Sequence, residues 1–338
     1  MHTLRTPFKG SKIVVGPSFK RGEFDSHAVD CPFVFRHDGR FLMTFVGWDG
    51  IGYRTGLASS PDLLSWQKEG LIIDRGGPGT ITEFNVALTS ILRDNDLFGP
   101  ATLNQVDGRF IGTYHSYPGS GYEVGPGVIG LCFSNDLRSW DIGPPVLEPG
   151  APGEWDAGGL YKSWLMKADG TFYLYYNAKD RDRQPWIEQT GFATSSDLVT
   201  WEKHPLNPVL PIGSPGDFDD LFASDPCVLY QDGRWVMFYY GYSSDTHARD
   251  GFATSPDLKS WTKSGEILID VGTPGSLDDK YAAKPAMITA NGVLFHFYNA
   301  VTQFERRSVG EIQHTEVRGI AYATSIKYPS STTTGNDL

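Results

Sequence analysis

The chain repeats itself, and the repeat limits what it can fold into. SSPDLLSW at 59–66 returns as FSNDLRSW at 133–140, TSSDLVTW at 194–201 and TSPDLKSW at 254–261. Ahead of each copy lies a turn and an aromatic run: DGRFLMTF from Asp38, DGRFIGTY from Asp107, DGTFYLYY from Asp169 and DGRWVMFY from Asp232. A fifth, degenerate unit reads NGVLFHFY from Asn291 and then GIAYATS from Gly319. The interval between successive motif tryptophans is 74, then 61, then 60 residues. A period near sixty with turns at fixed offsets is the mark of a repeat architecture. Each unit needs its neighbours to bury its faces, so residues 1–329 are read as one domain and 330–338, SSTTTGNDL, as a disordered tail.

Each unit has the pattern of four strands. CPFVFRHDGRFLMTFVG (31–47) is two apolar runs split by His-Asp-Gly, a hairpin signal. TGLASS and KEGLIID supply a third and a fourth strand. Five such units predict an all-β fold, a five-bladed β-propeller with four-stranded blades. A Gly/Pro loop ending in an aromatic or Leu beside Asp or Asn follows each fourth strand: GGPGTITEFN, EPGAPGEWD, IGSPGDFD and VGTPGSLD. The same pattern opens the chain at 11–25, preceded by no complete blade. Residues 13–15 are therefore expected to be an N-terminal strand completing the last blade, which removes an exposed edge.

Composition narrows the partners. A net charge of −11 argues against nucleic acid and against an anionic membrane surface. Three cysteines, Cys31, Cys132 and Cys227, with no Cys-x-x-Cys, argue against a disulfide framework or a zinc site. No apolar leader precedes the first unit, so a cytoplasmic protein is expected, or a secreted one whose signal has been removed. No His-x-x-x-His pair or calcium loop is present, so no cofactor is expected; a structural calcium in the channel stays compatible with the sequence.

In a propeller the first strand of each blade lines the channel, and function lives on loops at one of its mouths. Counting back from the turns puts Asp30, Lys162, Asp225 and Lys284 at that mouth, with Pro100 as the equivalent in the second unit. Folding does not need a charge at the start of an apolar strand, and four units carry one. The ends of the second strands add Trp48, His115, Asn177 and Asn299. The third-strand starts add Glu188 and Glu316, and the loops into the first strands add Glu83 and Asp156; His27 lies close to Asp30.

Facing carboxylates in an oxygen-rich pocket are what glycosidic cleavage needs: one protonates the leaving oxygen, the other activates water or attacks the anomeric carbon. Asp30, Asp225 and Glu188 are the catalytic candidates, with Glu188 as the acid. His27, Trp48, Glu83, His115, Asp156, Lys162, Asn177, Lys284, Asn299 and Glu316 are the candidate substrate contacts. Each has a plainer alternative. An Asp before Pro also caps turns, and Glu188 lies in a segment, AKDRDRQPWIEQ, where a solvated charge is equally at home. The Asp of the repeated motif (Asp62, Asp136, Asp197, Asp257) recurs in four units and is structural. Asp25, Asp156, Asp219 and Asp278 also recur, as loop caps, with Asp156 or Asp219 as the ones open to substrate.

The Ser-x-Asp-Leu-x-x-Trp ending, the pair Asp-Pro-x-Val…Asp-Gly-x-Trp at 225–235 and the related Asp30-Cys31-Pro32-Phe33 resemble the glycosidase superfamily of five-bladed propellers, which holds glycoside hydrolase families 43, 62, 32, 68, 117 and 130. The resemblance implies a carbohydrate-degrading enzyme with a blade-one Asp, matched by Asp30, a second Asp, for which Asp225 stands, and a Glu acid. It also implies an oligosaccharide or glycoside substrate. The Asn-Asp-Pro-Asn box of family 32 is absent, which disfavours fructan cleavage. The expected function is hydrolysis of a terminal glycosidic bond, of a furanoside or related sugar, with inversion on the family 43 analogy. A phosphate-dependent phosphorylase and a non-catalytic carbohydrate-binding propeller are the alternatives.

Overall fold

The computed structural model describes residues 3–327, so the expectation for 330–338 lies outside the described residues. The first four blades run, strand by strand, Ala28–His37, Arg40–Trp48, Tyr53–Ser60 and Gln67–Ile73; then Ala87–Ile91, Arg109–Ser116, Val128–Ser134 and Asp141–Leu147; then Leu160–Ala168, Thr171–Asp180, Ile187–Ser195 and Glu202–Lys203; then Phe222–Gln231, Arg234–Tyr242, Ala248–Ser255 and Thr262–Ile269. Blade five holds Tyr281–Ala290, Val293–Val309 and Ile312–Thr324. Within each blade the strands pair antiparallel in sequence order. Third strands meet the next blade's first strand in parallel at Glu188–Phe222 and Ala248–Tyr281. The five-bladed propeller expected from the repeat is the fold observed.

The repeated residues explain why each blade forms. Each hairpin turn has both central residues at positive φ (Asp38 48°, Gly39 75°; Asn291 50°, Gly292 76°), the geometry that matches strand twist and that Asp-Gly and Asn-Gly tolerate. In the motif, Asp62 Oδ1 accepts the backbone N–H groups of Leu64 (2.9 Å) and Ser65 (2.7 Å). Ser60 Oγ accepts the N–H of Leu63, and Trp66 Nε1 donates to the Leu63 carbonyl. Leu63 is held at φ 67° yet fully buried. The equivalent leucines 137, 198 and 258 have φ of 63°, 65° and 65°. The motif aspartates are thus turn-formers, as expected.

A second repeat is electrostatic. The loop aspartates Asp25, Asp156 and Asp219, all buried, pair with fourth-strand lysines Lys68 (2.5 Å), Lys203 (2.6 Å) and Lys263 (2.6 Å). In blade five Asp278 pairs with Lys9 at 2.6 Å. Lys9 therefore occupies the fourth-strand position of a blade it precedes in sequence by nearly the whole chain. Phe8–Lys9 pairs antiparallel with Thr324 and Ala323, and Val15 bridges Ile320. The N-terminal segment completes the last blade, with its paired strand at Phe8–Lys9 and only a bridge at Val15 in the stretch expected to be the strand.

Blade two departs from the expected alignment. Its first strand is Ala87–Ile91, not a strand opening at Pro100. An insertion at 94–103 separates it from the hairpin turn and crosses to other blades. Leu97 N donates to the Tyr230 carbonyl, Asn95 Nδ2 to that of Lys167, and Arg36 N to that of Ala101. Counting back from the Asp-Gly turn lands inside this insertion.

Lys9→Met keeps the alkyl stem and removes the cation, leaving the buried Asp278 carboxylate with only the Tyr298 hydroxyl at 2.9 Å and the Ser276 hydroxyl at 3.1 Å. Lys9 is 30% exposed, so the expected cost is about 2 kcal/mol, below that of a fully buried pair. Urea unfolding measures it; an unchanged midpoint would mean that the terminal strand does not hold the ring shut.

Candidate active site

The first strands carry a bulge at one end of the channel. Register slips between Asp30 and Phe33, Ser224 and Cys227, and Ala283 and Ala286. The bulged residues are Cys31 (φ 49°), Asp225 (φ 56°) and Lys284 (φ 68°), each seven positions before its hairpin turn and each followed by proline. A bulge re-aims a side chain out of the alternation, here into a cavity of ≈ 480 Å³. The blade-one equivalent of Asp225 is therefore Cys31, and Asp30 lies one residue earlier, behind the cavity wall.

Of the residues expected from sequence, His115, Lys162, Asn177, Glu188, Asp225, Lys284 and Asn299 line this cavity. Asp30 does not, although its carboxylate backs the wall, bound by Lys284 Nζ (3.2 Å) and Arg318 Nη1 (3.4 Å). Trp48 stands behind the lining, edge-on to Tyr53 and Tyr122. His27 packs against His314 and hydrogen-bonds Ser26, and Glu83 accepts the Gly79 N–H within its own loop. Asp156 is committed to Lys203 and to the Gly150 N–H, a loop cap like its three counterparts. Glu316 reaches the site only through Arg318, 3.0 Å away. His27, Glu83, Asp156 and Glu316 are thus corrected to supporting positions: local hydrogen bonds or ion pairs already hold them away from the cavity.

Glu188 sits where blades three and four meet. Its backbone N–H donates to the Leu221 carbonyl (3.1 Å), so a sheet junction rather than a loop positions it. Its Oε2 accepts from Ser224 Oγ (2.7 Å), Asn177 Nδ2 (3.0 Å) and the Tyr240 hydroxyl (3.2 Å), and its Oε1 lies 3.6 Å from Lys179 Nζ. Burial pushes its carboxyl up; Lys179 opposes this, but the nearby negative charges of Glu123 and Asp225 add to the rise.

Glu123 and Lys179 are the important residues the sequence did not single out. Glu123 comes from the long loop after blade two's second strand, and its carboxylate binds Lys179 Nζ. Burial alone would raise its carboxyl, but Lys179 and then Lys284 hold it below the usual range. Lys179 loses hydration on burial, yet Glu123 and Glu188 outweigh that loss and raise it above the ordinary lysine value, so it stays charged. One ammonium thus bridges two carboxylates whose proton affinities are pushed apart.

Asp225 is flanked by two ammonium groups, Lys162 and Lys284, each 3.8 Å from Oδ2, and its Oδ1 accepts from Ser224 Oγ (3.2 Å). Asp225 Oδ2, Lys162 Nζ, Asn177 Oδ1 and both His115 ring nitrogens have no hydrogen-bond partner among the described residues. Burial pushes His115 down to about 4, so its imidazole is neutral at pH 7 and offers one donor and one acceptor. Aromatic side chains complete the wall. Trp186 lies against Phe222 (4.6 Å between centroids) and Phe222 against Tyr242 (4.9 Å), and Tyr122, packed edge-on to Tyr53, also lines the cavity. Unsatisfied polar groups between aromatic faces are the furniture of a sugar site, where hydroxyls take the first and C–H faces the second.

The fold and this cavity define a propeller of the glycosidase class. The model of the glycosyl hydrolases family 32 N-terminal domain matches residues 95–275, more than half of the chain, and the chain belongs to that family. A solved structure described as a complex of BT0996 with RGII is 29% identical, covers 97% of this chain and 94% of its own, and superposes with a TM-score of 0.82. Another, described as a glycoside hydrolase, is 27% identical with a TM-score of 0.80, covering 98% and 95%. The 1,2-beta-oligomannan phosphorylase of Thermoanaerobacter sp. (strain X514) is 24% identical over 70% of this chain and 72% of its own. The sucrose-6-phosphate hydrolase of Klebsiella pneumoniae is 33% identical over 40% of this chain, which spans only 28% of that protein.

Asp30 offers a clean test of the wall behind the cavity. Burial raises its carboxyl, but Lys284 and Arg318 more than offset this and hold it below the usual range. A depressed folded-state value contributes stability above the unfolded value of ~3.9, and that stability is lost as pH falls through the folded value. Asp30→Asn is therefore expected to cost about 3 kcal/mol at pH 7, and the gap to wild type is expected to shrink as pH drops below ~4. Urea unfolding at the two pH values measures it. A gap independent of pH would show that the Asp30 charge is not what matters.

Proposed function

We propose that the chain hydrolyses a terminal glycosidic bond of an oligosaccharide, with Glu188 protonating the leaving oxygen and Glu123 acting as the ionised carboxylate at the anomeric carbon. The observation that carries this reading is the single ammonium of Lys179 held between them, with Glu188 pushed toward its protonated form and Glu123 toward its ionised form. Two carboxyl groups driven to opposite protonation states is how one site holds an acid beside a base or nucleophile. Both carboxylates reach the one Lys179 nitrogen, so they converge on the same part of the cavity. The inversion expected from the sequence rests on the family 43 analogy, and the anomer released first from a cleaved glycoside tests it.

On this reading Asp225, Lys162, His115 and Asn177 bind sugar hydroxyls with the atoms that lack hydrogen-bond partners among the described residues. Asp225 shares Ser224 Oγ with Glu188 and so also fixes the acid. The furanoside expectation rests on the sequence resemblance. The relative described as a complex with RGII supports an oligosaccharide as substrate. The phosphorylase reading draws on the oligomannan phosphorylase relative and on Lys162, whose ammonium makes no hydrogen bond among the described residues.

Activity on a panel of aryl and disaccharide glycosides, furanosides included and with and without phosphate, tests these readings together. Glu188→Gln is expected to slow cleavage ~10²–10⁴-fold where the leaving group is a sugar, and far less where it is an acidic phenol that needs no proton. Glu123→Gln is expected to fail with both. Turnover that requires phosphate would replace hydrolysis by phosphorolysis. A protein inert on every glycoside but retained on a glycan array would replace both by binding. In wild type, kcat/KM should rise with the ionisation of Glu123 below the ordinary carboxylate range and fall with that of Glu188 above it. Lys179 favours the ionised form of both, so Lys179→Met should move both limbs to higher pH. Unmoved limbs would remove Glu123 and Glu188 from the assignment.

A further inference from the structure

The cations of the cavity all have carboxylate partners. Arg93 does not. It lies at the end of the first strand of blade two and is 2% exposed. Its Nη1 donates to the Val34 carbonyl of blade one (2.7 Å) and to the Met287 carbonyl of blade five (3.2 Å). Its guanidinium carbon is 6.0 Å from the centroid of the Trp164 ring in blade three. One side chain from blade two therefore reaches first strands of three other blades, which places the guanidinium in the central channel, away from the cavity.

The charge there is not paired by protein. No salt bridge involves Arg93 among the described residues, and its Nε is used on the Asp94 backbone carbonyl rather than on a carboxylate. The strongest titratable influence on it is Cys227, ahead of Asp94; burial pushes that thiol up to about 11, so it is uncharged at neutral pH. Two donors in this part of the channel, Arg93 Nη2 and Trp164 Nε1, are buried and find no acceptor among the described residues. The Trp164 face offsets part of the cost of this buried cation, but a guanidinium with unused N–H groups and no ion-pair partner stays costly unless an anion accompanies it. The first strands around them are apolar, with Phe33, Val228 and Met287 all buried, so an anion accepted there would have to be small and weakly hydrated rather than a phosphate or carboxylate.

We propose that the channel binds a monovalent anion of the halide class, held by Arg93 Nη2 with Trp164 Nε1 as a second donor. The same guanidinium makes this stretch of the channel unfavourable for the calcium ion that the sequence left open. The site lies outside the lining of the cavity that holds Glu123 and Glu188, so its role is to join four blades at their axis rather than to take part in bond cleavage.

The test is diffraction from crystals soaked in bromide, with thermal unfolding followed in chloride and in gluconate at matched ionic strength. An anomalous peak within hydrogen-bonding distance of Arg93 Nη2, together with a midpoint that rises roughly 2 °C for each tenfold increase in halide beyond the dissociation constant, is the expected result. Arg93→Met is expected to abolish the halide dependence. Should that variant not fold, the wild-type measurements still decide: no anomalous peak at Arg93 and a midpoint indifferent to halide would overturn the proposal and leave water as the occupant.

Discussion

A propeller stands or falls on closing its ring, and here closure depends on a buried ion pair repeated around the circle. In blades one, three and four the loop aspartate and the fourth-strand lysine come from the same stretch of chain. In blade five the lysine must come from the far terminus. A carboxylate buried in the same place in four blades has to find its cation, because leaving it alone costs several kcal/mol. That requirement specifies where the N-terminal strand docks more sharply than apolar contact could. The short paired stretch Phe8–Lys9 would say little alone; with Lys9 on Asp278 it has only one register.

The closed ring then gives the site its rigidity. First strands of three blades enter the channel through a bulge, and proline follows each bulged residue. Cys31, Asp225 and Lys284 are presented from backbone fixed on both sides by neighbouring strands. Glu188 is held at the parallel contact between two blades. Only Glu123 comes from a loop, and its anchor is Lys179, itself nearly buried on blade three's second strand. On the proposed assignment the acid is built on sheet and its partner carboxylate on a loop, and Lys179 ties the two together.

Much of this was legible in the sequence because it is repeated. The turns, the motif aspartates and the loop caps recur in several units, so their structural role follows from number alone. The same reasoning should have settled Asp156, whose counterparts Asp25, Asp219 and Asp278 have the same partner type. Counting from turns found Asp225, Lys162 and Lys284 but missed by one in blade one, where the cysteine and not the aspartate takes the bulge. It failed in blade two, where residues 94–103 intervene. Glu123 and Lys179 escaped because nothing elsewhere in the chain resembles them, so the repeat offered no position from which to count to them. The signal was the interval of 74 residues between the first two motif tryptophans, which announces that blade two carries additional residues.

Both insertions of blade two serve the centre of the molecule, from opposite directions. One brings Glu123 to the cavity; the other follows Arg93 and ties blades one, three and four together. A cation on the axis would by itself weaken a ring of apolar strands. It also supplies what such strands lack, a directional contact that tells each blade how far its neighbour across the channel should be. Val34 and Met287 offer carbonyls from two different blades, and one guanidinium nitrogen reaches both. The carboxylates of the cavity are spaced by lysines in the same way. At both levels of the channel, blade-to-blade distances are set by a buried cation shared between groups from different blades. At the level of the cavity, those distances are the separations on which carboxylate chemistry depends.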